Sequence, residues 1–263
     1  MLVGFQGEAG AFSDEAAQRL IAGAQTHGYT TFDDLIEAVD RRDVEAGLLP
    51  VENSIFGAIA RAYDLLWQYT GLHIIDETEI AVEMCLIGIP GTDEARIREV
   101  RSHPVALEQV RRFGQTHPNW RQIAVADTAG AVTEIMTLGD AAVAAIGPAF
   151  AAERYGATVL RRGIQDDARN FTRFYLLSTE ARPRAVTGRA VIGIEIDHRP
   201  GTLRDALSAF ADQSIDLRNI VARPNHVDPF HYRFFFELRD VEANRLERAL
   251  ANVAGSTRIF GVY

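Results

Sequence analysis

The 263-residue chain contains no lysine; all 27 of its basic residues are arginine. That absence excludes the Schiff-base lysine of pyridoxal phosphate enzymes and class I aldolases, and the phosphate-binding lysine of P-loop proteins. Any anion must therefore be held by arginine or by neutral donors. Cysteine is nearly absent too, and the single Cys85 excludes a disulfide within the chain and any multi-cysteine zinc site. Its apolar setting, Val82-Glu83-Met84-Cys85-Leu86-Ile87-Gly88, reads as core rather than as a nucleophile's site. No apolar run approaches the ~20 residues that span a bilayer, so no membrane is expected as a partner. Nucleic acid is not expected either, because a net charge of -9 has the wrong sign for a phosphate backbone. The start, Met1 to Gln6, has neither a basic region nor a long apolar one, so a cytoplasmic location is expected.

What is present is 47% hydrophobic residue and 24% charged, ample for the cores of two domains. Up to about residue 178, short apolar strands alternate with helical patterns, which predicts an α/β domain with a mainly parallel sheet. Leu2 to Phe5 reads as a strand. A helix from Ser13 to about Ala24 follows, with Phe12, Ala16, Ala17, Leu20 and Ile21 on one face and Ser13 as its N-cap. Pro148 and Gly156 bracket a later helix. The stretch Glu180 to Arg189 carries proline, glycine and charge without periodicity and reads as a linker. Beyond it, residues 190–263 spell βαββαβ, the ferredoxin-like plan.

Five segments carry groups suited to chemistry. Gly4 to Ser13 places glycines between a strand and a helix start, where backbone N–H groups can hold an anion, but without dinucleotide-binding spacing. Pro50-Val51-Glu52-Asn53-Ser54 ends an apolar strand in three polar residues, where α/β sheets place ligands. Ser102-His103-Pro104 starts a helix, with Ser102 a candidate cap, Gln109 able to face the same cleft, and His103 read as structural. Asp127-Thr128-Ala129 is a second strand end with a helix start. Asn170-Phe171-Thr172-Arg173-Phe174 adds a neutral hydroxyl and an arginine suited to clamping carboxylates. No pair among the seven histidines has metal-ligand spacing, so no metal or cofactor is expected. The residues alone give an anion-binding cleft of hydroxyl, amide and arginine groups.

In order along the chain, these segments resemble the prephenate dehydratase family, and residues 190–263 resemble its amino-acid-sensing ACT module. The resemblance implies a monofunctional enzyme of fold class α/β. Its catalytic domain (1–179) would have two lobes, similar to type II periplasmic binding proteins. The first lobe would take about residues 1–76 and 159–178, and the second about 77–158. Prephenate would lose carbon dioxide and its ring hydroxyl to give phenylpyruvate, with Thr172 as proton donor. Glu52, Asn53, Ser102 and Gln109 would position substrate and leaving group. Arg173 and backbone near Ser13 and Thr128 would hold carboxylates, with Ser54, Ala129, Asn170, Phe171 and Phe174 completing the binding site.

Three departures stand out. Val105 replaces a common glutamine, Gly201-Thr202-Leu203 stands for glycine-alanine-leucine, and Ala222-Arg223-Pro224 follows Val221 in place of glutamate-serine-arginine-proline. The last two place L-phenylalanine in question as effector at these six positions. Arogenate as substrate, or a sensing protein without turnover, shares most of these residues. A homodimer or homotetramer is implied by the ACT resemblance.

Overall fold

The computed structural model describes residues 1–182, 187–225 and 229–263. Residues 183–186, the middle of the expected linker, lie outside the described residues, and the linker's last three residues already belong to the strand Thr187–Glu195, so the C-terminal module begins before residue 190. The chain opens with β1 (Leu2–Gln6), α1 (Phe12–Leu20), β2 (Gln25–Tyr29), α2 (Phe32–Asp40) and β3 (Ala46–Asn53). The short β4 (Gly57–Ala58), α3 (Ala60–Gln68) and the long β5 (His73–Ala81) complete the first pass. A second lobe holds β6 (Cys85–Gly88), β7 (Glu99–Ser102), α4 (Pro104–Gln109), α5 (Arg111–Gln115) and β8 (Arg121–Ala124). It continues with α6 (Thr128–Leu138), β9 (Val143–Gly147), α7 (Ala149–Tyr155) and β10 (Thr158–Arg161). Then β11 (Phe171–Ser178) returns to the first lobe. The C-terminal module is β12 (Thr187–Glu195), α8 (Thr202–Ala211), β13 (Asp216–Pro224), β14 (Tyr232–Glu242), α9 (Ala243–Ala251) and β15 (Ser256–Val262).

The first sheet runs β2-β1-β3-β11-β5, with β4 beside β3. In it β1 pairs in parallel with both neighbours, and β11 lies antiparallel between β3 and β5. The second sheet runs β10-β6-β9-β7-β8 and the third β13-β14-β12-β15. The two-lobed α/β plan and the βαββαβ module are thus those expected, but the sheets of both lobes are mixed rather than mainly parallel, because β11 returns antiparallel between β3 and β5 and β6 lies antiparallel to both β9 and β10. Strand β3 is covered on both faces, and Leu48, Leu49 and Val51 are fully buried, which explains its unbroken apolar run.

Local chemistry starts and stops the helices. Thr31 and Asp34 form a reciprocal capping box on α2, and Gly156 ends α7 in the left-handed conformation at φ 69°. Two expected caps are corrected. The N-cap of α1 is Ala11, without a side-chain bond, and Ser13 lies inside the first turn; the Asp14 carboxylate accepts from Gly10 N–H at 2.8 Å instead. At α4 the capping side chain is His103, accepting from Val105 N–H at 3.3 Å, while Ser102 still belongs to β7.

The third sheet is covered on both faces. One carries α8 and α9 over Phe236, Leu238 and Ile192. The other docks on the first lobe, where Val191, Phe235 and Phe260 join one core with Tyr63 and Leu66 of α3, with Trp67 packed against it. Close approach depends on two glycines. A Cβ at Gly193 would lie 2.6 Å from the Trp67 ring, and one at Gly261 would fall on the Ile74 carbonyl oxygen. Gly261→Val should therefore cost about 1–3 kcal/mol of stability through overpacking, read from urea denaturation. A wild-type midpoint would contradict this docking.

Candidate active site

Between the lobes lies a cavity of about 290 Å³. The first lobe contributes Gly7, Ser13, Asn53 and Thr172, and the second His103, Gln109, Asp127 and Thr128. Residues far apart in sequence meet because β3 and β11 pair antiparallel with Thr172 opposite Asn53. Asn53 is the hub. Its Nδ2 donates to Thr172 Oγ1 at 3.2 Å, Asn170 Oδ1 at 2.8 Å and the Phe171 carbonyl at 3.1 Å. Its Oδ1 accepts from the N–H groups of Ile55 and Phe56. A hydroxyl that accepts from an amide keeps its own proton to donate, so this arrangement leaves Thr172 a donor facing the cavity.

Two buried polar atoms beside the cavity have no partner among the described residues: Gln109 Oε1 and Asn170 Nδ2. Each forfeits water without replacement, a cost that a bound ligand would relieve. Gln109 also lines an adjoining cavity of about 260 Å³, which Asn170 and Arg111 share. Anion-holding capacity comes from the first turns of α1 and α6, at Ser13 and Thr128, where backbone N–H groups have no intrahelical acceptor. Asp127 takes one of them, accepting from Gly130 N–H at 2.6 Å. His103, read from sequence as structural, both caps α4 and lines the cavity. It and Arg111 are the groups that sequence reasoning missed; His103 was visible in its motif, whereas nothing marked Arg111.

Other expected residues lie elsewhere. Ser102 is fully buried, its hydroxyl donating to the Ile146 carbonyl at 2.5 Å, so it ties β7 to β9 rather than touching substrate. The Ser54 hydroxyl donates to the Arg169 carbonyl and accepts from Phe171 N–H, closing the loop behind Asn53. Ala129 and Phe174 are core, and Phe171 is exposed. Burial pushes the Cys85 thiol up to about 11, consistent with inert core.

The largest correction concerns Glu52 and Arg173. Successive side chains of a strand point to opposite faces, so with Asn53 and Thr172 in the cleft, Glu52 and Arg173 face away from it. Arg173 is 4% exposed. It donates to Glu52 from Nε at 3.1 Å and Nη2 at 2.6 Å, and to Glu237 of the C-terminal module at 2.8 Å. Glu77 lies 3.7 Å from its Nη1, and Arg189 and Arg218 pair with Glu77 in turn. Glu79 also pairs with Arg218, so three guanidiniums serve four carboxylates. Burial works against the charge of Arg173, but the bonds and charge of Glu237 and Glu52 outweigh it and hold the arginine above its ordinary pKa. Burial likewise penalises the Glu237 carboxylate, yet Arg173 and the hydroxyls of Tyr175 and Tyr63 hold it below the usual range. With its charge spent here, Arg173 is not free to clamp a substrate.

The expected effector residues do not share one site within the chain. Gly201, Thr202 and Leu203 line a cavity of about 560 Å³ with His198, Arg199 and Tyr232. Ala222, Arg223 and Pro224 lie in β13, where Arg223 forks onto Asp64 of α3 at 2.9 and 2.8 Å. Among the described residues, no cluster of three or more His, Cys, Asp or Glu could hold a metal, and no helix is long and apolar enough to cross a membrane.

Comparison with known proteins follows the same lines. A family model described as prephenate dehydratase matches residues 3–182. Arogenate dehydratase/prephenate dehydratase 1 of Arabidopsis thaliana is 34% identical, covering 99% of this chain and 71% of its own. The solved structure of GqqA, described as a novel type of quorum quenching acylase, is 31% identical with a TM-score of 0.90, covering 99% of this chain and 97% of its own. That of prephenate dehydratase from Arthrobacter aurescens in complex with L-Phe is 27% identical with a TM-score of 0.87, covering 99% and 89%.

Glu237 contributes stability above the carboxylate pKa of an unfolded chain, about 4.3, and loses it as pH falls through its lower folded value. Arg173→Met leaves that carboxylate buried and unpaired, at an expected cost of about 3–5 kcal/mol near neutral pH. The gap in melting temperature between wild type and variant should narrow in acid as Glu237 takes up a proton. A gap independent of pH would contradict an ionised pair.

Proposed function

The chain belongs to the prephenate dehydratase family, whose activity is that of a lyase, and from that premise we propose that its cleft converts prephenate to phenylpyruvate. The observation that carries the reading is the Thr172 hydroxyl, which accepts from Asn53 at 3.2 Å and faces the cavity between the lobes. The ring carboxylate of prephenate leaves as carbon dioxide, and the electrons of the broken carbon–carbon bond pass through the ring. They expel the ring hydroxyl at the far carbon, which takes the Thr172 proton and departs as water. Threonine then regains a proton from solvent. Aromatisation supplies the driving force, so the protein's task is to orient a dianion and assist the leaving group.

Threonine is a weak acid in water, and this role requires a closed, water-poor cleft with donors already aimed. The first turns of α1 and α6, one on each lobe, are suited to the two carboxylates. Gln109 and Asn170, each with an unpartnered polar atom, would orient the ring. The names of the plant relatives support arogenate as the alternative substrate, which presents an ammonium where prephenate has a keto group. An acylase, as GqqA is described, would need Thr172 beside a base, and its neighbour here is an amide.

The C-terminal module is proposed to be an ACT domain. The phenylalanine-bound relative supports an amino-acid effector at the Gly201–Leu203 cavity. Assembly as a homodimer or homotetramer and a cytoplasmic location complete the proposal.

The test is phenylpyruvate formation from prephenate at neutral pH in the presence of a chelator, with arogenate in parallel. Thr172→Ala should lower kcat by about 10²–10⁴-fold in a folded protein. Asn53→Ala should lower it by about tenfold or more through a misaimed hydroxyl. A Thr172→Ala enzyme near wild-type rate would refute the proton-donor role.

A further inference from the structure

Glu237 lies on the C-terminal module, away from the cleft, yet it meets the strand that carries Thr172. It is 3% exposed. One carboxylate oxygen accepts from Arg173 Nη2 at 2.8 Å, Tyr175 OH at 2.8 Å and Tyr63 OH at 2.9 Å; the other lies 2.7 Å from Arg173 Nη1. Two of these donors belong to β11, on either side of Phe174, and the third to α3. Removing a carboxylate from water to this extent is costly, and apolar packing of the same volume would stabilise the docking at least as well. The carboxylate therefore calls for an account other than stability.

Register supplies one. Thr172 pairs with Asn53 and Arg173 with Glu52, and the pairing then shifts, so that Phe174 stands opposite Pro50. A bulge disrupts the ladder at that point, and Pro50 has no N–H to donate to it. On the inner side of the catalytic pair the ladder that joins β11 to β3 is therefore interrupted, and only the ladder to β5 runs on unbroken, through Leu176. There the Arg173 guanidinium bridges Glu52, beside Asn53, to Glu237 in the third sheet.

We propose that Glu237 is a positioning residue for the dehydration: by fixing Arg173 from the C-terminal module, it holds β11 so that the Thr172 hydroxyl stays aligned with Asn53. The proposal rests on Thr172 as the proton donor. Its consequence is that the C-terminal module forms the rear support of the reacting group, and a shift of the module against the first lobe moves that support.

The experiment compares Glu237→Gln, which keeps the side-chain shape and loses the charge, with wild type on prephenate. The expected result is a fall in kcat of about tenfold or more with KM changed by less than about threefold, since the defect is aim and not ground-state binding. Glu237→Asp should recover part of the rate. In a Thr172→Ala background, Glu237→Gln should change the residual rate by less than about twofold, because the group it positions is gone. A purely structural role would cost the same factor in both backgrounds, and that result, or a folded Glu237→Gln with kcat within about twofold of wild type, overturns the proposal. If Glu237→Gln does not fold, Tyr63→Phe and Tyr175→Phe decide. Each removes one hydroxyl from the same carboxylate, and unchanged kcat in both overturns the proposal, whereas a fall of about threefold at constant KM supports it. Failure of the wild type to turn over prephenate or arogenate would instead refute the proposed function, and the positioning role with it.

Discussion

Arg173 has given up its water, and a guanidinium so placed keeps its charge only where carboxylates replace the solvent. Glu52, Glu77 and Glu237 do so, and they come from two strands of the first lobe and one of the C-terminal module. Because strand side chains alternate, a commitment of Arg173 to that face commits Thr172 to the other. The same holds for Glu52 and Asn53 on the paired strand. One buried ionic cluster thereby sorts four polar side chains on two paired strands, two toward the cleft and two toward the docked module.

The cleft that results is chemically spare. Its capacity to hold anions lies in helix first turns and amides, and the proton donor proposed for it is a neutral hydroxyl. That suits a reaction driven by aromatisation, in which the electrons of the lost carboxylate pass through the ring to the departing hydroxyl and the protein must chiefly aim one proton. The lysine-free composition fits this division: arginines such as Arg173 and Arg223 hold the architecture, and the contacts proposed for the substrate are backbone and amide groups. Neutral donors held by neighbours need no counter-ion in the site, but they depend on geometry, which the surrounding packing must maintain.

Much of this was legible from residues. The alternation of apolar strands with helical stripes gave the α/β class, the family resemblance gave the two lobes, and Pro148 and Gly156 marked α7 correctly. The segments holding Asn53, Thr172, Gln109 and Thr128 were found by their polar strand ends and helix starts. Which member of each adjacent pair faces the cleft was not legible, because β3 is buried on both faces and carries no polar-apolar alternation. Glu237 was hidden for a related reason. Reading Tyr232, Phe234, Phe236 and Leu238 as the packed face leaves Phe235 and Glu237 on a face that looks solvated in an isolated module. Phe235 was the available signal, since three consecutive phenylalanines require cover on both sides. Ser102 misled because a hydroxyl at a strand end also serves to tie neighbouring strands.

The most direct test of this two-faced arrangement is a crystal structure of Thr172→Ala with prephenate bound. The ring hydroxyl should lie against position 172 and within reach of Asn53, its carboxylates at the first turns of α1 and α6, and Arg173 still on Glu52 and Glu237. A substrate carboxylate resting on Arg173, with Glu52 or Glu237 displaced, would contradict the account.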